Sequence, residues 1–182
     1  MSYFDELTKA MTWLGQQPDT VFLGQCVEYP GNAMFKTLAG VPKEKCIELP
    51  VAEEMQMGIS LGMALTGKTV ISIYPRFDFL LLAMNQLLNH LDKLPAFSNG
   101  QFGVDRRGKV IIRVGIGSTK PLYPGVQHCG DYTGALMKML NNVAVCRLTQ
   151  SSDILPVYTG AYEDSGSNLI VEDMNLYNAQ VE

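Results

Sequence analysis

The sequence has little charge and no strong excess of either sign. Of its 182 residues, 18% are charged, and the formal net charge is −4. Proteins that bind nucleic acid through phosphate contacts usually carry a clear basic excess, so this composition argues against such a partner. The short basic cluster Arg106-Arg107 with Lys109 lies beside Gly108 and is interpreted as a solvated turn. Hydrophobic residues make up 47% of the chain, which is typical of a folded globular protein.

Metal-binding cysteine spacings and membrane-spanning runs are also missing. The four cysteines form no C-x-x-C pair, which argues against a zinc or thioredoxin-like site. The longest uninterrupted apolar run, Phe79 to Met84, is far too short to cross a bilayer. The N-terminus does not resemble a signal peptide. We therefore expect a protein of the reducing cytoplasm, without membrane contact.

Strand-like and helix-like segments alternate along the chain. Short apolar segments predict strands over residues 21–24, 46–49, 70–74, 110–114, 143–147 and 169–171. Helical spacing of apolar residues predicts helices over residues 3–16, 34–38, 54–66, 77–94, 131–140 and 151–162. Alternation of this kind, with strands that are apolar throughout, predicts an α/β fold: a three-layer structure with a parallel sheet and helices on both faces. We expect residues 1–182 to form a single domain.

The stretch from residue 48 to residue 67 is the one around which the chain is organised. Glu53 lies at the junction between a predicted strand and the helix that follows it, which is where α/β folds place binding and catalytic groups. Gly58 and Gly62 lie four residues apart on one face of that helix, and Gly67 follows its end. Each interior glycine costs roughly 0.5–1 kcal/mol relative to alanine. We therefore expect another backbone to approach this face closely.

Two further features are predicted to reach the same edge of the sheet. Phe77-Asp78-Phe79 opens the next helix, predicted to run to about Leu94 and to end at Pro95, with a broad apolar face suited to a core or a subunit interface. His128 lies in a long glycine-rich loop that follows a central strand. A carboxylate, an aromatic ring and an imidazole can thus converge at one site. The adjacent Cys129 also suggests a thiol nucleophile, but neighbouring residues usually point apart.

One sequence pattern is misleading. Residues 62–69 match the phosphate-loop pattern G-x-x-x-x-G-K-[ST] at every position. A phosphate loop must follow a strand and open a helix, so that free backbone N–H groups face the phosphate. Here the pattern ends a predicted helix and begins a strand. We interpret the match as chance and keep a nucleotide hydrolase only as an alternative.

Several blocks of the sequence together resemble one protein family. They are Leu-Pro-Val-Ala-Glu (49–53), Gly-Ile-x-x-Gly (58–62), Phe-Asp-Phe-x-x-x-Ala-Met-Asn-Gln (77–86), Ser-Asn-Gly-Gln (98–101), Arg-x-Gly-x-Gly (113–117) and Val-Gln-His (126–128). Their order and spacing resemble the β subunit of the pyruvate dehydrogenase first component, and also the related acetoin and branched-chain 2-oxo acid dehydrogenases and split transketolases. The resemblance runs from about Phe4 to Asp173, nearly the whole chain.

This resemblance implies a domain that binds the aminopyrimidine half of thiamine diphosphate. Glu53 matches the glutamate that hydrogen-bonds a ring nitrogen of the pyrimidine and so promotes proton removal from the thiazolium carbon. Phe79 matches the aromatic residue that stacks on the pyrimidine, and Phe77 beside it is included among the cofactor-binding residues. His128 matches a histidine that faces the substrate and acts on reaction intermediates. The implied substrates are 2-oxo acids or ketoses.

The resemblance also implies a partner chain. In the family, a G-D-G motif followed by an N-N pair binds the diphosphate and its Mg²⁺; this chain has no G-D-G, and Asn141-Asn142 follows no such motif. We expect no metal ligands here, no diphosphate-binding domain and no C-terminal transketolase domain. The expected protein is one half of a split enzyme, completed by an α-like subunit in an α2β2 assembly, while the isolated chain could form a homodimer. The alternative is a non-catalytic relic that serves as a binding or scaffold protein.

Overall fold

The chain folds around one parallel sheet. The computed structural model describes residues 1–99, 108–119 and 123–178. Six strands pair in the order β2-β1-β3-β4-β6-β5, and each neighbouring pair is parallel. The strands are β1 (Thr20–Gly24), β2 (Cys46–Glu48), β3 (Thr69–Tyr74), β4 (Lys109–Ile116), β5 (Ala144–Leu148) and β6 (Asn168–Asp173). The predicted parallel α/β sheet is thereby confirmed.

Helices cover both faces of this sheet. The α-helices are α1 (Tyr3–Gly15), α2 (Ala33–Lys36), α3 (Glu53–Leu65), α4 (Phe77–Leu80), α5 (Leu94–Phe97), α6 (Thr133–Met139) and α7 (Ser151–Glu163). Successive residues of β4 alternate between two cores. Ile111 packs in the core that contains α1 and α7, while Val110 and Ile112 pack in the core that contains α3, α4 and α6. Every residue of β4 is buried, as expected for a central strand of a parallel sheet.

The strand order creates a switch point at the carboxyl edge of the sheet. Strand β1 lies between β2 and β3, so the chain leaves β1 towards one side and later returns to the other. Connections that diverge in this way open a crevice at the carboxyl ends of the strands. Helices α3 and α4 begin at this edge, after β2 and β3, and the turn Val126–His128 follows β4.

The predicted single helix from Phe77 to Leu94 is wrong. The chain instead forms α4, a 3₁₀ turn at Leu81–Ala83, a π-helical segment at Gln86–Leu91 and then α5. Pro95 lies in the first turn of α5, so it begins a helix rather than ending one. The buried apolar residues along this run are Phe77, Leu80, Ala83, Leu87 and Leu91. Spacings of three across the 3₁₀ turn and four across the π segment keep one face against the sheet.

The two glycines inside α3 face open space within this chain. A Cβ atom on Gly58 would meet only Gln86 Cδ, at 3.9 Å, and one on Gly62 would meet nothing within 4 Å. The expected close backbone approach is therefore not made by the described residues. The phosphate-loop pattern is placed as predicted. Gly62 lies inside α3, Gly67 follows it at φ +93°, and Thr69 begins β3.

Some sequence features lie outside the described residues, or are absent from them. Arg106-Arg107, residues 100–101 of the fourth family-like block and residues 120–122 of the glycine-rich loop are not described. In the part of the chain that is described, no helix is both long and apolar enough to cross a membrane.

The Asn141-Asn142 pair has a structural role next to a buried carboxylate. Asp92 is fully buried, and its Oδ1 accepts backbone N–H groups from Asn141, Asn142 and Val143 at 2.9, 2.7 and 3.1 Å. Burial alone would raise the pKa of the Asp92 carboxyl. The three N–H groups outweigh burial and hold that pKa below its usual value of 3.8.

We expect Asp92→Asn to lower the free energy of unfolding by about 1–3 kcal/mol at neutral pH, because a neutral amide loses the charge-assisted bonds. A carboxyl with a depressed pKa stabilises the fold above its unfolded pKa, and that contribution is lost as the pH falls through the folded pKa. The difference between the two proteins, measured by urea unfolding, should therefore be constant from neutral pH down to about 5 and shrink below about 4. Glu44→Gln, at an exposed carboxylate, is the control. A difference that does not change with pH would contradict this account.

Candidate active site

Glu53 is a buried carboxylate at the first residue of α3. Its side chain is 5% exposed, and Gln25 Nε2 donates a hydrogen bond to Oε1 at 3.1 Å. The hydroxyl of Tyr74, at the end of β3, donates to the backbone carbonyl of Glu53 at 3.3 Å. Burial raises the pKa of Tyr74, so its hydroxyl stays protonated as a donor at neutral pH. No hydrogen bond to Glu53 Oε2 is formed by the described residues, so this oxygen can accept one from a ligand.

The loop that carries Gln25 is held by a second carboxylate. Glu48, the last residue of β2, accepts the backbone N–H groups of Cys26, Val27 and Glu28 at 2.7, 2.8 and 2.9 Å. Cys26 has φ +55°, and the successive N–H groups form a concave anion site of the type that turns of this kind create. Glu48 thereby fixes the start of the loop and the position of Gln25. Sequence reasoning missed both roles, because pairing across residues 25–53 is not visible in a local motif.

Phe79 and His128 contact each other, whereas Phe77 lies in the core. The rings of Phe79 and His128 are edge to face, with centroids 5.7 Å apart and planes at 88°, and both residues are partly exposed. Phe77 is fully buried and packs edge-on against Tyr132, with centroids 5.5 Å apart. Its side chain presents no surface to a ligand. The prediction that Phe77 binds cofactor stays a prediction.

Residues at the start of α4 hold the loop of His128 in place. The Arg76 guanidinium donates to the backbone carbonyl of His128 at 2.8 Å. The carboxylate of Asp78 accepts the N–H of Gly130 and the hydroxyl of Tyr132, each at 3.1 Å. The adjacent residues Asp78 and Phe79 thus have different roles, because Asp78 anchors the loop while Phe79 packs on the imidazole. The sequence placed Asp78 beside the site but gave no sign of this anchoring.

The chain therefore supplies two halves of a site along one sheet edge. Phe79 and His128 form one half. Glu53 forms the other, and it is hydrogen-bonded to Gln25 and Tyr74 rather than to either ring. His128 Nδ1 is buried and has no hydrogen-bond partner among the described residues. Within that same part of the chain, no group of three His, Cys, Asp or Glu side chains could hold a metal ion. A carboxylate acceptor, an aromatic face and an imidazole suit a heteroaromatic ligand with ring nitrogens.

Comparison with known proteins agrees with the family resemblance in the sequence. No protein-family model matches the chain. The β subunit of the pyruvate dehydrogenase E1 component from Gracilaria tenuistipitata var. liui is 26% identical over 184 residues, covering 98% of this chain and 54% of that protein. The β subunit of 2-oxoisovalerate dehydrogenase from Bacillus subtilis (strain 168) is 31% identical over 107 residues, covering 56% of this chain and 32% of that protein. The chain thus spans about half the length of the first of these relatives.

Solved structures share the fold. A split-gene transketolase, described as an inactive β4 tetramer, superposes with a TM-score of 0.69 at 19% identity and covers 95% of this chain and 51% of its own. Benzoylformate decarboxylase from Polynucleobacter necessarius superposes with a TM-score of 0.59 at 12% identity, covering 92% of this chain and 32% of its own. These likenesses confirm the predicted fold, a parallel α/β sheet with helices on both faces that is shared with domains of a split transketolase and of a benzoylformate decarboxylase.

Proposed function

We propose that this chain is the pyrimidine-domain subunit of a split thiamine diphosphate-dependent enzyme. It acts with a partner chain that supplies the diphosphate and Mg²⁺ site, on a 2-oxo acid or a ketose. The observation that carries the proposal is the buried carboxylate of Glu53 at the switch point of the sheet. Gln25 orients it, and its second oxygen accepts no hydrogen bond from the described residues. The similarity to dehydrogenase β subunits over almost the whole chain supports the cofactor class.

The residues present fit the aminopyrimidine half of thiamine diphosphate. When bound, that cofactor supplies a carbon nucleophile that adds to the carbonyl carbon of the substrate. Glu53 would hold a proton at a ring nitrogen, which requires an ionisable carboxylate rather than an amide. Phe79 would pack against the pyrimidine ring. His128, held by Arg76 at its carbonyl, would donate or accept a proton on the substrate side.

An exposed apolar surface around the start of α3 supports the proposal of a partner chain. Around the start of α3, apolar side chains are exposed: Val51 by 79%, Met55 by 44%, Ile59 by 36% and Leu82 by 64%. Gly58 and Gly62 of α3 leave room for a second backbone at this face. An apolar patch with close-approach glycines, next to the candidate site, supports a subunit interface there. We propose an α2β2 assembly in which the cofactor lies between this chain and the α-like chain.

The alternative function is a non-catalytic scaffold. A relic under no demand for catalysis would have no need of a buried carboxylate, which costs free energy to desolvate, or of a donor that orients it. Glu53 with Gln25, together with the anchored His128 loop, supports the catalytic proposal over the scaffold.

Calorimetric titration tests the proposal directly. Thiamine diphosphate with Mg²⁺ is titrated into this chain alone, into a candidate diphosphate-domain chain alone, and into their mixture. We expect saturable binding only in the mixture, because neither chain alone carries a complete site. Oxythiamine diphosphate, in which an oxygen takes the place of the pyrimidine amino group, is titrated in the same way as a matched control ligand. If the two chains associate and the mixture still does not bind the cofactor, the scaffold function replaces this proposal.

A further inference from the structure

A cavity lies beside edge strand β2, and the residues proposed to bind cofactor are not part of its lining. It has a volume of about 460 Å³ and is enclosed by the loop after β1, helix α2 and the segment that leads into β2. Pockets that bind small molecules have volumes of roughly 300–1,000 Å³ and are mostly apolar with a few polar groups. This cavity has the size of such a site, and the proposed function does not use it.

The cavity combines apolar walls with two lysines that form no ion pair with the described residues. Val27, Phe35, Leu38 and Val41 supply apolar and aromatic surface. The other lining residues include two exposed lysines, Lys36 and Lys43. Among the described residues, no carboxylate lies within 4 Å of either ammonium group.

The lining also contains the carboxylate of Glu28 and the thiol of Cys46. Glu28 Oε1 accepts the backbone N–H of Glu48 at 3.2 Å, so this carboxylate is partly compensated. Burial, followed by the nearby carboxylates of Glu28, Glu44 and Glu48, raises the pKa of the Cys46 thiol to about 11. The thiol is therefore neutral at physiological pH and is a polarisable part of the wall.

We propose that this cavity binds a small monocarboxylate with an aromatic or branched aliphatic body. The apolar walls would hold the body, and the ammonium groups of Lys36 and Lys43 would pair with the carboxylate. A neutral or cationic ligand of the same shape would leave both lysines unpaired and would place a positive charge or a dipole against them. Ligands of the same shape fit the apolar walls equally well, so the charge of the ligand determines which of them binds most tightly.

The cavity shares a segment of chain with the candidate active site. Val27 and Glu28 line the cavity, and their backbone N–H groups are bound by Glu48. Two residues before Val27, Gln25 donates to the carboxylate of Glu53. A ligand that packs on Val27 thus contacts the same short segment that orients Glu53. This link rests on the role proposed for Glu53, whereas the binding site itself does not.

Ligand titration followed by ¹H–¹⁵N NMR on this chain alone tests the site. The probes are 4-phenylbutanoate, 4-phenylbutanol and 4-phenylbutylamine, which share one apolar body and differ in charge. We expect saturable shifts at residues 27–46 with the carboxylate, and at least about tenfold weaker binding of the alcohol and the amine. Equal binding of the three probes, or no saturable shift at these residues, would overturn the proposal.

Variants assign the effect to the cavity. Lys36→Gln with Lys43→Gln should weaken the carboxylate about tenfold, whereas Lys68→Gln with Lys138→Gln, at exposed lysines outside the lining, should not. Ala39→Trp, at an exposed lining position, should fill the mouth and block all binding. Unchanged affinity in Lys36→Gln with Lys43→Gln would overturn the assigned carboxylate contacts.

Binding that leaves the side-chain amide signal of Gln25 unmoved would overturn the link to Glu53. None of these outcomes depends on thiamine diphosphate, so they are separate from the test of the proposed function.

Discussion

Glu53→Gln is expected to lower kcat of the reconstituted two-chain enzyme by about 10²–10⁴-fold, the range that general acid–base groups contribute. Glutamine has nearly the same shape and can still accept the hydrogen bond from Gln25 at Oε1. It cannot ionise, so it cannot hold or release the proton at the pyrimidine nitrogen. The variant should therefore fold, bind its partner chain and lose turnover.

The neighbouring acid provides a matched control. Glu54 lies in the same first turn of α3, but it is exposed, and its Oε1 accepts a hydrogen bond from Asn85 Nδ2 at 3.3 Å. Glu54→Gln makes the same chemical change one residue away, and we expect kcat within about twofold of the wild type because exposed substitutions act weakly. Steady-state kinetics of both variants, with circular dichroism and calorimetric cofactor binding, separate chemistry from folding. Full turnover in Glu53→Gln would remove the catalytic role assigned to Glu53.

The sheet could be predicted from the sequence because strands and helices in this chain differ in local pattern. Each predicted strand is found within two residues of its predicted ends, since short β-branched runs bounded by turns leave few alternatives. The segment 77–94 was predicted less well, because its leucines are so frequent that several helical forms satisfy the same pattern. Leu81 and Leu82 remain 38% and 64% exposed, so the face that is buried is decided by contacts with the sheet, not by periodicity.

The candidate site was predicted in part, for a similar reason. Glu53 and His128 were identifiable because each follows a strand and each belongs to a family-like block. Gln25 was not, because it depends on a hydrogen bond between residues 28 positions apart in the sequence. Phe77 and Phe79 look alike in sequence, yet only Phe79 reaches the surface, because the two residues point to different sides of α4. Distant pairings and the direction of a side chain become visible only when the fold is known.

Arg113, part of a family-like block, belongs to a buried charge network on the other side of the sheet from α3. Arg113 on β4 and Glu172 on β6 are both fully buried, with Nη2 2.9 Å from Oε2. The hydroxyls of Tyr158 and Tyr177 donate to the same carboxylate. Burial, and after it the charge of Glu172, raises the pKa of both tyrosines, so both remain donors at neutral pH. Burial alone would lower the pKa of the Arg113 guanidinium. The negative charge of Glu172 outweighs this effect, so Arg113 stays charged in the core.

Glu172→Gln is expected to lower the free energy of unfolding by about 3–5 kcal/mol, because it leaves the Arg113 guanidinium buried without a counter-charge. Its amide N–H₂ group would also face the tyrosine donors. Urea unfolding followed by circular dichroism measures the loss. Glu163→Gln, at the exposed end of α7, should change stability by less than about 0.5 kcal/mol.

A double variant distinguishes the charge imbalance from simple loss of packing. Arg113→Met combined with Glu172→Leu removes both charges and keeps most of the apolar volume. Replacing a whole buried pair in this way is often neutral or stabilising, whereas removing one partner is not. We therefore expect the double variant to be more stable than Glu172→Gln, although the tyrosine hydroxyls lose their acceptor and limit the recovery. A double variant less stable than the single one would mean that the network stabilises the core mainly through its hydrogen bonds, and the charge argument for Glu172 would fail.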